Sequence, residues 1–319
     1  MSNLYDSLFD KIIILDQEIW HLKLTRANID LWLDKLESDS ESENSERIHF
    51  LYLLSQFSYF GYREIREILK TLFNDKVKYP IIRDIRTKNK DTLDHEFIER
   101  EFKEKISKIR ILGLGNPSES GAHLLYLFRQ ENGLDKNLFI HFHEIFDWKD
   151  TSNIQIKDQN IERYIFIDDL CGSGSQLLSQ CRSVLSFFKK APKGCKLEYY
   201  PLFATSEGLS KIYNSTENVF DIISPIFKLD NSFKCFSDDS RYFSNVNTDE
   251  IDKDFAKGIC EKYGNQLYSQ SLGFANGQLL IGFQHNIPNN TLPIFWSEGR
   301  NGNSWMPIFT RNKKYLKDL

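Results

Sequence analysis

No apolar run in the chain approaches the roughly 20 residues that a membrane-spanning helix needs. The longest early run, Ile12-Ile13-Ile14-Leu15, is bracketed by Lys11 and Asp16. The opening stretch is polar and interrupted by Asp6 and Asp10, so it is not expected to act as a signal peptide. Cysteine is scarce. Cys171, Cys181, Cys195, Cys235 and Cys260 are an odd number and form no CxxC pair. They are read as reduced thiols of a cytoplasmic protein, not as a zinc site or a disulfide framework. Excess positive charge is also missing: 41 Lys+Arg stand against 45 Asp+Glu, a net charge of −4. That excludes a strongly basic nucleic-acid coat protein. No convincing internal repeat is found. The seven histidines are scattered without a metal-ligand spacing, which predicts core or surface roles.

What is present suffices for a sizeable core. Of the 319 residues 40% are hydrophobic and 14% aromatic. At roughly 100–200 residues per domain, one large domain or two smaller ones are expected. Leu4, Leu8, Ile12, Leu15, Ile19 and Leu22 recur at helical steps, so residues 1–36 read as helical. Residues 37–46 carry no apolar side chain and read as a solvated acidic linker. Further helices are expected over 48–60, 62–73 and 94–107. From residue 108 the texture changes to strands alternating with helices. Strands are expected at 110–114, 138–142, 164–167, 197–204, 219–223 and 278–283, with helices at 120–130 and 175–188. Residues 147–162 read as a polar loop that could carry a short hairpin. The expectation is a helical region over 1–107 and a parallel-sheet α/β domain over 108–319 with a C-terminal extension.

One segment carries chemistry. Tyr164-Ile165-Phe166-Ile167, apolar on both faces as a buried parallel strand requires, runs into Asp168-Asp169. Leu170-Cys171-Gly172-Ser173-Gly174-Ser175 follows and opens a helix. The glycines let backbone amides approach an anion, and the helix aims its positive end at the same point. Ser173 and Ser175 add hydroxyl donors. No lysine follows the glycines, so this is not a Walker A loop. Asp168 and Asp169 could accept hydrogen bonds from vicinal ribose hydroxyls, directly or through Mg2+, and offset positive charge developing on the ring.

This segment resembles the phosphoribosyl-diphosphate (PRPP) signature of type I phosphoribosyltransferases. The resemblance implies a type I phosphoribosyltransferase-like core. It implies a 5′-phosphate held by Cys171, Gly172, Ser173, Gly174 and Ser175, and a ribose held by catalytic Asp168 and Asp169, which meet the metal only as Mg2+-PRPP. A second glycine-rich turn, at 113–121, would place Asn116, Ser118, Glu119, Ser120 and Gly121 at the pyrophosphate. Lys149 or Lys157 could close over it from the polar loop. No salvage-enzyme base pocket is recognised. The end of the chain, with Asn289-Asn290-Thr291-Leu292-Pro293-Ile294-Phe295-Trp296, is similar to phosphoribosyltransferase-like proteins of bacterial conflict systems, as is Glu119-Ser120-Gly121. That resemblance implies an anti-phage effector that transfers a ribosyl phosphate group from a small-molecule donor. Defence-system partner proteins or a nucleic-acid complex are implied, and a membrane partner is not. Asn289, Asn290 and Thr291 are the candidate acceptor contacts. An inactive PRPP- or nucleotide-sensing module that regulates a partner remains open, because both readings need the same acids. Cys171 is expected to pack.

Overall fold

A computed structural model of the chain describes residues 2–36, 42–114, 120–147, 155–183, 185–190, 195–300 and 304–311. For residues 2–3, 42–45, 120–122 and 189–190 it describes the backbone only. In chain order the elements are α1 (Ser2–Glu18), α2 (Arg26–Leu33), α3 (Ser42–Ser55), β1 (Ser58–Phe60), α4 (Tyr62–Leu72), α5 (Tyr79–Lys88), α6 (His95–Ser107) and β2 (Ile109–Gly113). Then come α7 (Ser120–Glu131), β3 (Phe146–Asp147), β4 (Gln155–Ile156), β5 (Arg163–Cys171), α8 (Ser175–Arg182), β6 (Lys196–Thr205) and α9 (Ser206–Tyr213). The chain continues through β7 (Ile222–Ile223), β8 (Phe227–Leu229), α10 (Lys253–Leu267) and β9 (Ile281–Phe283). Among the described residues no helix is long and apolar enough to cross a membrane.

These elements form two compact units, 1–65 with 229–319, and 66–228. The division differs from a boundary at 107/108. Residues 66–107 cluster with the parallel sheet, and the last third of the chain clusters with the N-terminal helices. The reason lies in burial. Trp32, Phe50 and Phe57 share one apolar cluster with Tyr263, Ile294, Phe295, Trp305 and Phe309. The Trp32 indole N–H, which burial would otherwise strand, donates to the Ile294 carbonyl at 2.9 Å. In the same unit β1 pairs in parallel with β9, Ser58 opposite Ile281. Residues 58–60 are therefore strand, not the end of a helix.

The other unit holds a sheet in the order β2-β5-β6-β7, parallel throughout this path, with β8 also pairing β6. Its middle strand is apolar as expected: Tyr164, Ile165, Phe166 and Ile167 are all buried. Residues 138–142 are not a strand; short helical turns at Lys136–Leu138 and Phe142–Glu144 flank a single bridge, Phe139 with Ile111. The expected short hairpin is present, with Phe146 opposite Ile156 and Asp147 opposite Gln155. The helix expected over 175–188 stops at Arg182, and a 3-10 turn follows at 185–190. A π-helical turn, Phe73–Lys78, joins α4 to α5. Pro80 stands just after it and has no N–H for the Lys76 carbonyl four residues back. That carbonyl accepts from the Arg163 guanidinium at 3.3 Å, at the start of β5.

Candidate functional site

Because β2, β5 and β6 run parallel, their carboxyl ends share one edge of the sheet, where ligands of open α/β sheets bind. Register then carries the acids past the neighbouring strand. β2 ends with Gly113 opposite Ile167, whereas β5 continues to Cys171. Asp168 to Cys171 thus run past the end of β2 and pair with β6 alone, Asp168 opposite Pro201 and Cys171 opposite Ala204.

Asp168 is 8% exposed. One carboxylate oxygen accepts from the Tyr199 hydroxyl at 2.9 Å and the other from the Asp169 amide at 3.0 Å. Burial, and then the neighbouring Asp169, hold its carboxyl well above the usual carboxylate range; the Tyr199 and Asp169 donors act in the opposite direction. Burial likewise raises the Tyr199 phenol, which keeps its proton and remains a donor. Asp169 is half-buried, and its side chain accepts from the Leu170 amide at 2.7 Å. The pair therefore combines one buried carboxyl that resists ionisation with one that reaches the surface.

The loop that follows is shaped by glycine. Gly174 caps α8 with φ +69°, a left-handed conformation that other residues rarely adopt. Ser173 donates its hydroxyl to Ser175 at 3.1 Å. The loop also rests on α9. The Thr205 hydroxyl donates to the Gly172 carbonyl at 2.6 Å and accepts from the Gly208 amide at 2.9 Å, so one side chain caps α9 and pins the loop. A Cβ at Gly208 would lie 2.1 Å from the Gly172 carbonyl oxygen, so only glycine fits this approach. Lys211, in the second turn of α9, donates to the Ser175 hydroxyl at 2.8 Å.

The structure thus brings together Asp168, Asp169 and Gly172–Ser175. The Cys171 side chain packs in the apolar cluster with Leu177, Leu178 and Ala204. Burial pushes its thiol up to about 12, which removes the thiolate a nucleophile needs. Asn116, Ser118, Glu119 and Lys149 lie outside the described residues; Ser120 and Gly121 open α7. Lys157 is exposed beyond β4. Asn289, Asn290 and Thr291 belong to the other unit, where they serve its backbone. The Asn289 carbonyl accepts from the Phe274 amide, the Asn290 amide group donates to the Phe274 carbonyl at 2.9 Å, and the Thr291 hydroxyl donates to the Ile281 carbonyl at 2.7 Å. The Trp296 indole donates to the Thr291 carbonyl, and the Arg311 guanidinium covers its ring. Sequence reasoning missed Tyr199, Thr205, Gly208 and Lys211. The run Thr205-Ser206-Glu207-Gly208, closing an apolar strand, was the available signal for a capped helix start.

Among the described residues no group of three or more His, Cys, Asp or Glu could hold a metal by itself. Two adjacent carboxylates suit Mg2+ that arrives with ligand oxygens, since Mg2+ is commonly held by one or two carboxylates together with substrate phosphates.

A parallel-sheet α/β unit with an acid pair and a glycine-serine turn at its carboxyl edge is a phosphoribosyltransferase-like arrangement. A family profile described as PRTase-CE matches residues 29–311. The chain belongs to this family, which is phosphoribosyltransferase-like. No curated protein matches it.

Proposed function

We propose that the chain is a PRPP-binding transferase with a type I-like site. The observation that carries this reading is the overhang of β5, which sets Asp168 and Asp169 on the strand end that leads, through Leu170 and Cys171, into the anion-suited turn Gly172–Ser175. In this reading the 5′-phosphate lies against the amides of Gly172–Ser175 and the α8 N-terminus. Asp168 and Asp169 hold the ribose hydroxyls. An acceptor attacks the anomeric carbon as the bond to pyrophosphate breaks, and pyrophosphate leaves with the electron pair. Asp169, the acid that reaches the surface, offsets positive charge on the ring at that moment, while Asp168, held in place by a phenol and an amide, hydrogen-bonds a ribose hydroxyl. Mg2+, carried by PRPP, neutralises the leaving group when bound. In the cell the same reading makes the chain an anti-phage effector, supported by the resemblance of Glu119–Gly121 and Asn289–Trp296 to conflict-system proteins. Plaque counts on cells carrying the wild type and an acid-pair variant test that role.

The molecular test is calorimetric titration with Mg2+ and PRPP. The folded Asp168→Asn/Asp169→Asn variant is expected to bind at least roughly 10-fold more weakly, because a hydrogen bond to a charged group contributes about 1.5–3 kcal/mol. Equal affinity in the two proteins overturns the site. Release of pyrophosphate with an acceptor distinguishes turnover from sensing.

A further inference from the structure

The turn at 172–175 contains no cation, and two acids, Asp168 and Asp169, precede it by a Leu-Cys step on the same strand. A phosphate dianion placed there meets amides and hydroxyls on one side and carboxyls on the other. The fold brings a cation from elsewhere. β6 pairs with β5 along its whole length, so the chain leaving β6 starts α9 beside the turn. The contact is close and specific: the Thr205 hydroxyl on the Gly172 carbonyl, and Gly208 and Gly174 packed with no room for a Cβ on either. A Cβ at Gly174 would lie 2.8 Å from the Gly208 carbonyl oxygen. With α9 fixed in this way, the Lys211 ammonium reaches the Ser175 hydroxyl at 2.8 Å. Ser175 in turn accepts from Ser173.

The geometry points to Lys211 as a phosphate-binding residue of this site, one that makes it select 5′-phosphorylated ribosyl compounds over ribose and nucleosides. The inference rests on the PRPP-site reading and deepens it. Lys211 has three ammonium donors, and Ser175 accepts one. The others are available to phosphate oxygens held by Ser173, Ser175 and the turn. Lys211 thus supplies from a separate helix the charge that a Walker-type loop carries within itself. A neutral hydroxymethyl group in the same place gains nothing from the ammonium, which is the source of selectivity.

Calorimetry on the full chain, with ribose 5-phosphate, PRPP and inorganic pyrophosphate as probes, tests this. Lys211 is exposed, so Lys211→Gln is expected to keep the wild-type circular dichroism. It is expected to weaken ribose 5-phosphate and PRPP by roughly 10-fold or more, with pyrophosphate unchanged. Lys211→Arg is expected to recover most of the loss. Ribose 5-phosphate affinity within twofold of wild type in Lys211→Gln overturns the assignment. So does a loss confined to pyrophosphate, which would place Lys211 at the leaving group. Wild-type protein that binds neither PRPP nor ribose 5-phosphate overturns the PRPP-site reading itself, and Lys211 falls with it.

Discussion

Asp168 and Cys171 stand three positions apart on one strand, and burial acts on both in ways that can be measured. An acid whose folded pKa lies above its unfolded value keeps its proton longer in the native state. Below the unfolded value both states are protonated and the group contributes nothing to the difference. As pH rises from there towards the raised native value, the unfolded chain releases its proton first, so stability falls. Asp168 is such a group. Asp168→Asn, which can retain the Tyr199 bond, is therefore expected to melt higher than wild type at pH 8, with the difference narrowing towards pH 4. A variant that melts lower than wild type at pH 8 contradicts the buried-acid account. Cys171 makes the opposite kind of prediction. Its thiol is pushed up to about 12, so mass spectrometry is expected to find it unalkylated by iodoacetamide in native protein at pH 8, and Cys171→Ala is expected to keep PRPP affinity within a few-fold. Rapid labelling would restore a nucleophilic role.

At the scale of elements, the seam between the 172–175 turn and α9 decides whether the site keeps its shape. Gly208→Ala drives a methyl into the Gly172 carbonyl, where the gap is 2.1 Å, and backbone must move. Overpacking of this kind costs typically about 1–3 kcal/mol. The variant is expected to lose PRPP affinity by titration and stability by urea unfolding together. Thr205→Val removes a helix cap worth roughly 0.5–2 kcal/mol and the clamp on Gly172. The contrast between β5 and α9 also shows what can be read from a sequence. The chemistry of β5 is local: a run buried on both faces, two acids and a glycine turn are consecutive, so period and composition reveal them. The α9 contribution joins Gly172 to Thr205, 33 positions apart, and only the pairing of β5 with β6 brings them together. Residues 138–142 misled for a related reason. Leu138-Phe139-Ile140 is apolar enough for a strand, but Phe139 forms a single bridge to Ile111. The α5 helix was not among the expected elements, although Pro80 in its first turn, where a proline costs no intrahelical hydrogen bond, was a signal for a helix start.

Across the whole molecule, connectivity hid the division into units. One unit is continuous, 66–228, while the other is assembled from both ends of the chain. No local pattern announces that Trp32 will share a core with Phe295, yet that pairing, with ring centroids 5.6 Å apart, helps hold the assembled unit. Phe295→Ala is accordingly expected to cost about 3–5 kcal/mol in chemical denaturation. Asn290 is buried in the same unit. Its amide group holds the Phe274 carbonyl, and Gly273 and Gly277 press against it with no room for a Cβ. The function proposed for the chain rests on the other unit, and its most direct test is a crystal structure with Mg2+ and PRPP. The account predicts the 5′-phosphate within hydrogen-bonding distance of the Gly172–Ser175 amides and the ribose hydroxyls at Asp168 and Asp169. A phosphate bound away from that turn, or a ribose that leaves both acids untouched, would contradict it.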